Sequence, residues 1–139
     1  MSLFNIFNIA GSALNAQSLR LNTTASNMAN ANSASSSSGA TYRARSPLFE
    51  PMLADALDPH GAAEAGVKVI GIVESQAPLR HEYQPGSPLA DADGYVYLPN
   101  VNVVEEMANM ISASRSYQTN VEVMEASKRM LQQTLALGQ

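Results

Sequence analysis

Acidic and histidine side chains are the residues of this sequence whose types and spacing could do chemistry. The segment DADG at 91–94 is similar to the start of a calcium-binding loop. A loop of the EF-hand type needs a bidentate glutamate at its twelfth position. Counted from Asp91, that position is Asn102, which lacks the carboxylate. The segment therefore predicts a hairpin-type turn at Asp93-Gly94 rather than a metal site.

The other titratable groups are isolated. His60 and His81 are the only histidines, and the chain has no cysteine, so no cluster with metal-ligand spacing exists. Glu122 and Glu125 share a helix face and could form an acid/base pair, as could the glutamates at 105–106. Charges must lie off an apolar helix seam, which favours a solvated helix face for all of them. We find no phosphate loop or nucleophile elbow and predict no enzyme, cofactor or metal.

Length and charge narrow the function further. The chain has 139 residues, which fits one domain. Its 8 Lys and Arg residues are scattered and its net charge is −4, so a nucleic-acid partner is not expected. No apolar run is long enough to span a membrane. The first 19 residues are uncharged, but polar residues interrupt them and no basic region precedes them, so we predict no cleaved secretory signal.

Proline divides the chain into parts. All seven prolines lie between Pro47 and Pro99, and proline costs about 3 kcal/mol inside a helix. We predict an α+β fold in which long terminal helices pack as a coiled coil around an inserted β-rich unit. The predicted segments are an N-terminal helix (1–32), a Ser-rich connector (33–41), a β-rich middle (42–99) and a C-terminal helix (100–139).

The predicted N-terminal helix carries an apolar row with a period of seven. Its members are Phe7, Leu14, Leu21 and Met28. Several asparagines and Gly11 lie in the same segment, and each costs about 0.5–1 kcal/mol relative to alanine. An isolated helix of this composition is marginal, so the row must pack on a partner.

The predicted C-terminal helix carries a sharper pattern and a good start signal. Asn102 can cap the helix, with Glu105 three residues later. Two rows with a period of seven form a predicted seam: Val103, Met110, Tyr117, Met124 and Leu131 in the first, and Met107, Ser114, Val121, Lys128 and Leu135 in the second. The seam fits either a helical hairpin within the chain or a larger assembly. The small and amide side chains of the N-terminal row favour the assembly.

Short apolar segments in the middle of the chain predict strands. VKVIGIVES (67–75) is apolar on both faces, LRHEY (79–83) alternates, and GYVYL (94–98) follows the predicted turn. We expect these to form one small β module, which is marginal on its own at this size.

The segment SNMANANS at 26–33 resembles a signature of the axial proteins of bacterial flagella, the rod and hook family. Asn27, Ala29, Asn30 and Ser33 match that signature. Further blocks resemble the proximal rod subunits of this family: VESQAPLR (73–80), YQPGSPLADADGYV (83–96), PNVNVVEEM (99–107) and SASRSYQTNVEVM (112–124). Together these blocks cover most of the chain in order.

The resemblance implies a structural subunit of the flagellar rod, which crosses the periplasm. Such subunits pass unfolded through the flagellar type III export apparatus without signal cleavage. Their terminal helices form an inner tube, with the middle segment outside. The implied partners are other copies of the chain, other rod proteins, and the export apparatus and basal-body adaptor beneath them.

Three alternatives remain at this point. Another flagellar axial subunit would share the terminal helices. A coiled-coil adaptor would be a stable folded dimer, whereas an axial subunit would have disordered ends as a free monomer. A peptidoglycan-cleaving enzyme would need a buried acid pair or a metal site, and the sequence offers neither.

Overall fold

Two long helices frame the chain, and four short strands lie between them in sequence. The structure is a computed structural model that describes residues 3–52 and 66–137. This arrangement confirms the predicted α+β class. The elements in chain order are α1 (Leu3–Asn30), β1 (Arg45–Met52), β2 (Gly66–Glu74), β3 (Arg80–Tyr83), β4 (Tyr95–Leu98) and α2 (Val103–Leu137).

The two helices pack against each other in antiparallel directions. Asn27, near the end of α1, hydrogen-bonds to Glu106 near the start of α2. A Cβ placed on Gly11 would lie 3.9 Å from the Cε atom of Met124, so the other ends also meet. Because α2 has 35 residues and α1 has 28, the last turns of α2 extend beyond its partner. Leu135 is accordingly 71% exposed.

The helix pairing positions a two-stranded antiparallel ribbon of β1 and β2 along α1. Arg45 pairs with Glu74 at one end of the ribbon and Met52 with Gly66 at the other, with a bulge next to Leu48. At the second end, the Val67 N–H donates to Ser12 Oγ of α1 over 3.1 Å. The sequence did not predict β1, whose two prolines argue against a strand, although proline is tolerated in edge strands.

A second antiparallel ribbon, formed by β3 and β4, lies beside the end of α1. Its turn confirms the prediction at Asp93-Gly94: the Gly94 N–H donates to the Asp91 carbonyl over 3.0 Å, and Gly94 has φ +83°. The connector is tied to this ribbon, because Ser35 and Tyr97 exchange backbone hydrogen bonds of 2.9 and 3.0 Å. The described part of 42–99 thus contains two two-stranded sheets, β1–β2 and β3–β4.

The buried apolar core is small and consists mainly of short side chains. This is the consequence of a helix pair that approaches closely and of ribbons with only two strands each. Asn102 caps α2 as predicted, since its Oδ1 accepts the Val104 N–H over 3.1 Å. The buried apolar residues among those described are Ala10, Ala16, Ala31, Val96, Pro99, Val101 and Ala113.

Candidate assembly site

A polar junction forms where the end of α1 meets the start of α2 and the start of β1. Asn27 lies at its centre and is only 1% exposed. Its Nδ2 donates to the Arg45 carbonyl over 2.8 Å and to Glu106 Oε1 over 3.0 Å. Its Oδ1 accepts the Tyr42 hydroxyl over 2.8 Å and the Arg45 N–H over 2.9 Å. A primary amide has two donors and two acceptor positions, so its hydrogen-bonding capacity is full.

Two further side chains join the strands to the junction. The Arg80 guanidinium on β3 donates to the carbonyls of Pro99 and Ala31, each over 3.1 Å. Asn100, just before α2, accepts the Ala44 N–H over 2.8 Å and donates to the Ala77 carbonyl over 2.9 Å. Side-chain groups therefore satisfy loop backbone that has no strand partner, as buried backbone requires.

The face between the helices is lined with small residues. Ala16 on α1 and Ala113 and Ser127 on α2 are all buried. Small side chains allow the two backbones to approach closely, and Arg20 Nη2 bridges the helices by donating to Asn109 Oδ1 over 3.0 Å. The buried row of α2 with a period of seven consists of Glu106, Ala113, Asn120 and Ser127, which are buried or half-buried.

The predicted seam residues fall into two groups when placed in the structure. The first row lies toward α1 or at its margin, and the second row is displaced from the buried face by one residue, about 100° around the helix. Half-buried members are Phe7, Leu14, Leu21, Met28, Met110, Ser114, Val121, Met124 and Leu131. Exposed members are Val103, Met107, Tyr117, Lys128 and Leu135.

The second predicted row lies next to the buried row of Glu106, Ala113, Asn120 and Ser127. Its members Ser114 and Val121 are half-buried, whereas Met107, Lys128 and Leu135 are exposed. Ala113 and Ser127 suit the helix contact because large side chains in their place would hold the two helices apart. Any role of the displaced row in contacts between chains stays a prediction.

Comparison with known proteins then decides the family. A family model for "Flagella basal body rod protein" matches residues 7–34, and one for "Flagellar basal body rod FlgEFG protein C-terminal" matches residues 92–137. The chain is similar over its full length, and over the full length of each relative, to three proteins named "Flagellar basal-body rod protein FlgC". They share 57% identity in Escherichia coli, 55% in Yersinia enterocolitica and 46% in Buchnera aphidicola subsp. Schizaphis graminum.

The chain belongs to the FlgC family of flagellar basal-body rod proteins. It is accordingly a structural subunit of the flagellar basal-body rod. The two matched segments, 7–34 and 92–137, correspond to α1 with the residues after it and to the β4–α2 region. These are the segments that meet at the junction and along the helix pair.

The axial-protein signature at 26–33 has one residue at the centre of the junction and others that end α1. Asn27 makes the four bonds described above. Asn30 Nδ2 donates to the Ser26 carbonyl over 2.9 Å, and Ser33 Oγ donates to the Asn30 carbonyl over 2.8 Å, so both satisfy the helix terminus locally. Ala29 is exposed. Sequence reasoning identified these residues by resemblance but missed the partners of Asn27, which lie 15 to 79 residues away.

The glutamate and histidine side chains that could have done chemistry serve local structure in this FlgC-family fold. Glu105, Glu122 and Glu125 are exposed, as expected for a solvated face, but Glu106 is half-buried against Asn27, so that expectation was wrong for Glu106. His81 is exposed and stacks edge-on against Tyr95, with ring centroids 5.7 Å apart. His60 lies outside the described residues.

Asp91 organises the β3–β4 turn. Its Oδ1 accepts the Tyr95 N–H over 2.8 Å and the Asp93 N–H over 3.0 Å, and its Oδ2 accepts the Tyr97 hydroxyl over 3.2 Å. These bonds, led by the one from Tyr95, lower the pKa of Asp91, while the hydrogen bond to Asp91 raises the pKa of Tyr97. In residues 3–52 and 66–137, no three His, Cys, Asp or Glu side chains lie close enough to hold a metal ion.

Apolar side chains also remain uncovered on two surfaces of the described chain. One is the outer stripe of α2, which we define as Val104, Met107 and Ile111. The other is the β1–β2 ribbon, where Leu48, Ile70 and Ile72 are about half exposed. Contiguous exposed apolar surface of this kind marks an interaction site. Within 3–52 and 66–137, no helix is both long enough and apolar enough to cross a membrane.

Proposed function

We propose that this chain assembles into the periplasmic part of the rod through α1 and α2. Its neighbours are other copies of the chain and other rod proteins, with the export apparatus and basal-body adaptor beneath them. It reaches this position through the flagellar type III export apparatus without signal cleavage. It acts by packing alone and does no catalysis.

The outer stripe of α2 carries this proposal. A helix that packs on one partner needs one apolar face, and the opposite side is normally polar. α2 packs on α1 through Ala113 and still exposes Val104 by 76% and Met107 by 49% on another side. A second layer of helices from neighbouring subunits would cover this stripe.

Marginal helices support passage of the chain in unfolded form. The helix contact is built from alanine, serine and asparagine, which bury little apolar area per residue. The ordering cost of the helix segments away from the polar junction is offset when they meet their neighbours. We expect that removal of residues 1–30 abolishes export as well as assembly, and normal periplasmic amounts of the shortened chain would contradict the export proposal.

A charge on the outer stripe tests the assembly proposal. Met107→Glu should leave the monomer folded, because the side chain is already half exposed, but should stop rod completion and swimming. Ser112→Glu is the matched control, since it adds the same charge at an exposed position about 140° away around the same helix. The measurements are motility, isolation of basal bodies and circular dichroism of each monomer. Normal swimming of Met107→Glu would refute a packed outer stripe.

A further inference from the structure

Asn27 touches three segments that approach the junction from different directions. Its four hydrogen bonds reach Tyr42 just after the connector, both backbone groups of Arg45 at the start of β1, and Glu106 on α2. We propose that Asn27 couples two packing events: the pairing of α1 with α2, and the docking of the β1–β2 ribbon on α1. We call the Asn27 side chain with its four hydrogen bonds the latch.

The coupling follows from the cost of a half-satisfied buried amide. If α2 is not packed on α1, the Asn27 donor that binds Glu106 has no partner. If β1 is not docked, the Asn27 donor to the Arg45 carbonyl and the Asn27 acceptor of the Arg45 N–H have none. A buried polar group without a partner is more costly than the same group with its bonds made. Each packing event therefore supplies hydrogen-bond partners for the Asn27 amide that the other event buries. Structures in which only one of the two events has occurred are disfavoured.

The latch also selects one register of the two helices. A shift of α2 by seven residues would place Ala113, a methyl group, where Glu106 now accepts the Asn27 donor. Buried polar residues in helix pairs fix register in this way, at some cost in stability. Arg20 and Asn109 form a second polar contact in the same register. The small residues elsewhere in the contact discriminate registers poorly because they resemble one another.

The latch is a property of the single chain and does not depend on rod assembly. A failure of the proposed assembly would leave it intact, and a failure of the latch would leave the outer stripe of α2 unchanged. The two proposals are therefore tested separately.

Hydrogen exchange of the full-length free chain, resolved by residue, tests the latch. Two sets of amides are followed: the β2 strand, and the first three turns of α2. In Asn27→Ala, exchange should speed up in both sets together, by about tenfold or more. Tyr42→Phe removes one of the four bonds, together with the 3.3 Å contact between the Tyr42 hydroxyl and Ser26 Oγ, and keeps the ring. A smaller but equally shared increase is therefore expected.

Asn30→Ala is the matched control. It removes the same side chain three residues later in α1, where the amide bonds only to its own helix. We expect it to change exchange in both sets by less than about threefold. The latch is overturned if Asn27→Ala accelerates only one set, if Asn30→Ala equals its effect, or if the wild-type chain shows no slow exchange in either set.

Discussion

The two ends of the helix pair differ in what holds them together. At the junction end, both side-chain hydrogen bonds that join α1 to α2 in the described chain are found, from Asn27 and Arg20. At the distal end, Gly11, Ala10 and Ser127 provide close approach without such bonds. Between the two ends lies Gln17, whose Oε1 is buried without a hydrogen-bond partner.

The two ends therefore constrain the helix pair in different ways. At the junction end the polar contacts are directional, and only one arrangement of the two helices satisfies all of them. Small apolar contacts allow the distal end to approach its partner but penalise displacement weakly. Local opening should therefore begin at the distal end, where fewer directional contacts must break.

The largest loss in the free energy of unfolding is expected from Asn27→Asp. The carboxylate would lose both donors and face Glu106 Oε1 and the Arg45 carbonyl, which are acceptors. We expect a loss of about 3 kcal/mol or more in the free energy of unfolding, measured by urea denaturation of the full-length chain. Asn30→Asp, the control, should lose less than about 1 kcal/mol. Equal losses would remove the distinction between the junction and the rest of α1.

A charge at the distal end should cost less in the free chain. Met124 is half-buried against Gly11, so Met124→Glu loses packing but can escape by local opening. We expect a loss of about 1–2 kcal/mol in the same urea series. Glu125→Lys, exposed on the next residue, should stay within about 0.5 kcal/mol. A loss from Met124→Glu as large as that from Asn27→Asp would show that the distal end is as fixed as the junction.

Gly11→Ala should stabilise the distal end. The added Cβ would be 3.9 Å from Met124 Cε, an ordinary contact, and alanine is the better helix former. The expected gain is about 0.5–1 kcal/mol. Gly94→Ala is the counterexample, because φ is +83° there and a Cβ would lie 2.8 Å from Tyr83 Cε2. A loss from Gly11→Ala would mean that the helices are closer than this contact allows.

The smallest effect is expected from acid, at the β3–β4 turn, which lies at the other end of that ribbon from Arg80. The pKa of Asp91 is lowered in the fold, so its contribution to stability is present above the pKa of the unfolded chain. That contribution is lost as the pH falls through the lower pKa of the folded state. The chemical shifts of the Tyr95 and Asp93 amides should report this loss below about pH 4. Asp91→Asn keeps the acceptor and should remove the pH dependence of these shifts.

The elements with strong local signals could be predicted from the sequence. The proline-free ends and their periodicity predicted helices within 1–32 and 100–139, and the structure has Leu3–Asn30 and Val103–Leu137. Asn102 and Asp93-Gly94 gave a helix cap and a turn because their chemistry acts over a few residues.

The contacts between distant segments could not be predicted in the same way. Ala113 and Ser127 form the helix contact, but small residues leave no trace in an apolar pattern. Asn27 is one of several asparagines in α1, and only its distant partners distinguish it. Strand β1 contains Pro47, which argues against a strand, and its pairing partner β2 begins 14 residues after β1 ends, so no local turn signal joins the two.

Residue-resolved hydrogen exchange along both helices of the wild-type free chain tests the central difference most directly. Amides of α1 near Asn27 and of α2 near Glu106 should exchange slowly, with protection falling steadily toward residues 3–10 and 127–137. Protection that is uniform along both helices, or greatest at the distal end, would contradict the view that polar contacts at the junction hold this chain together.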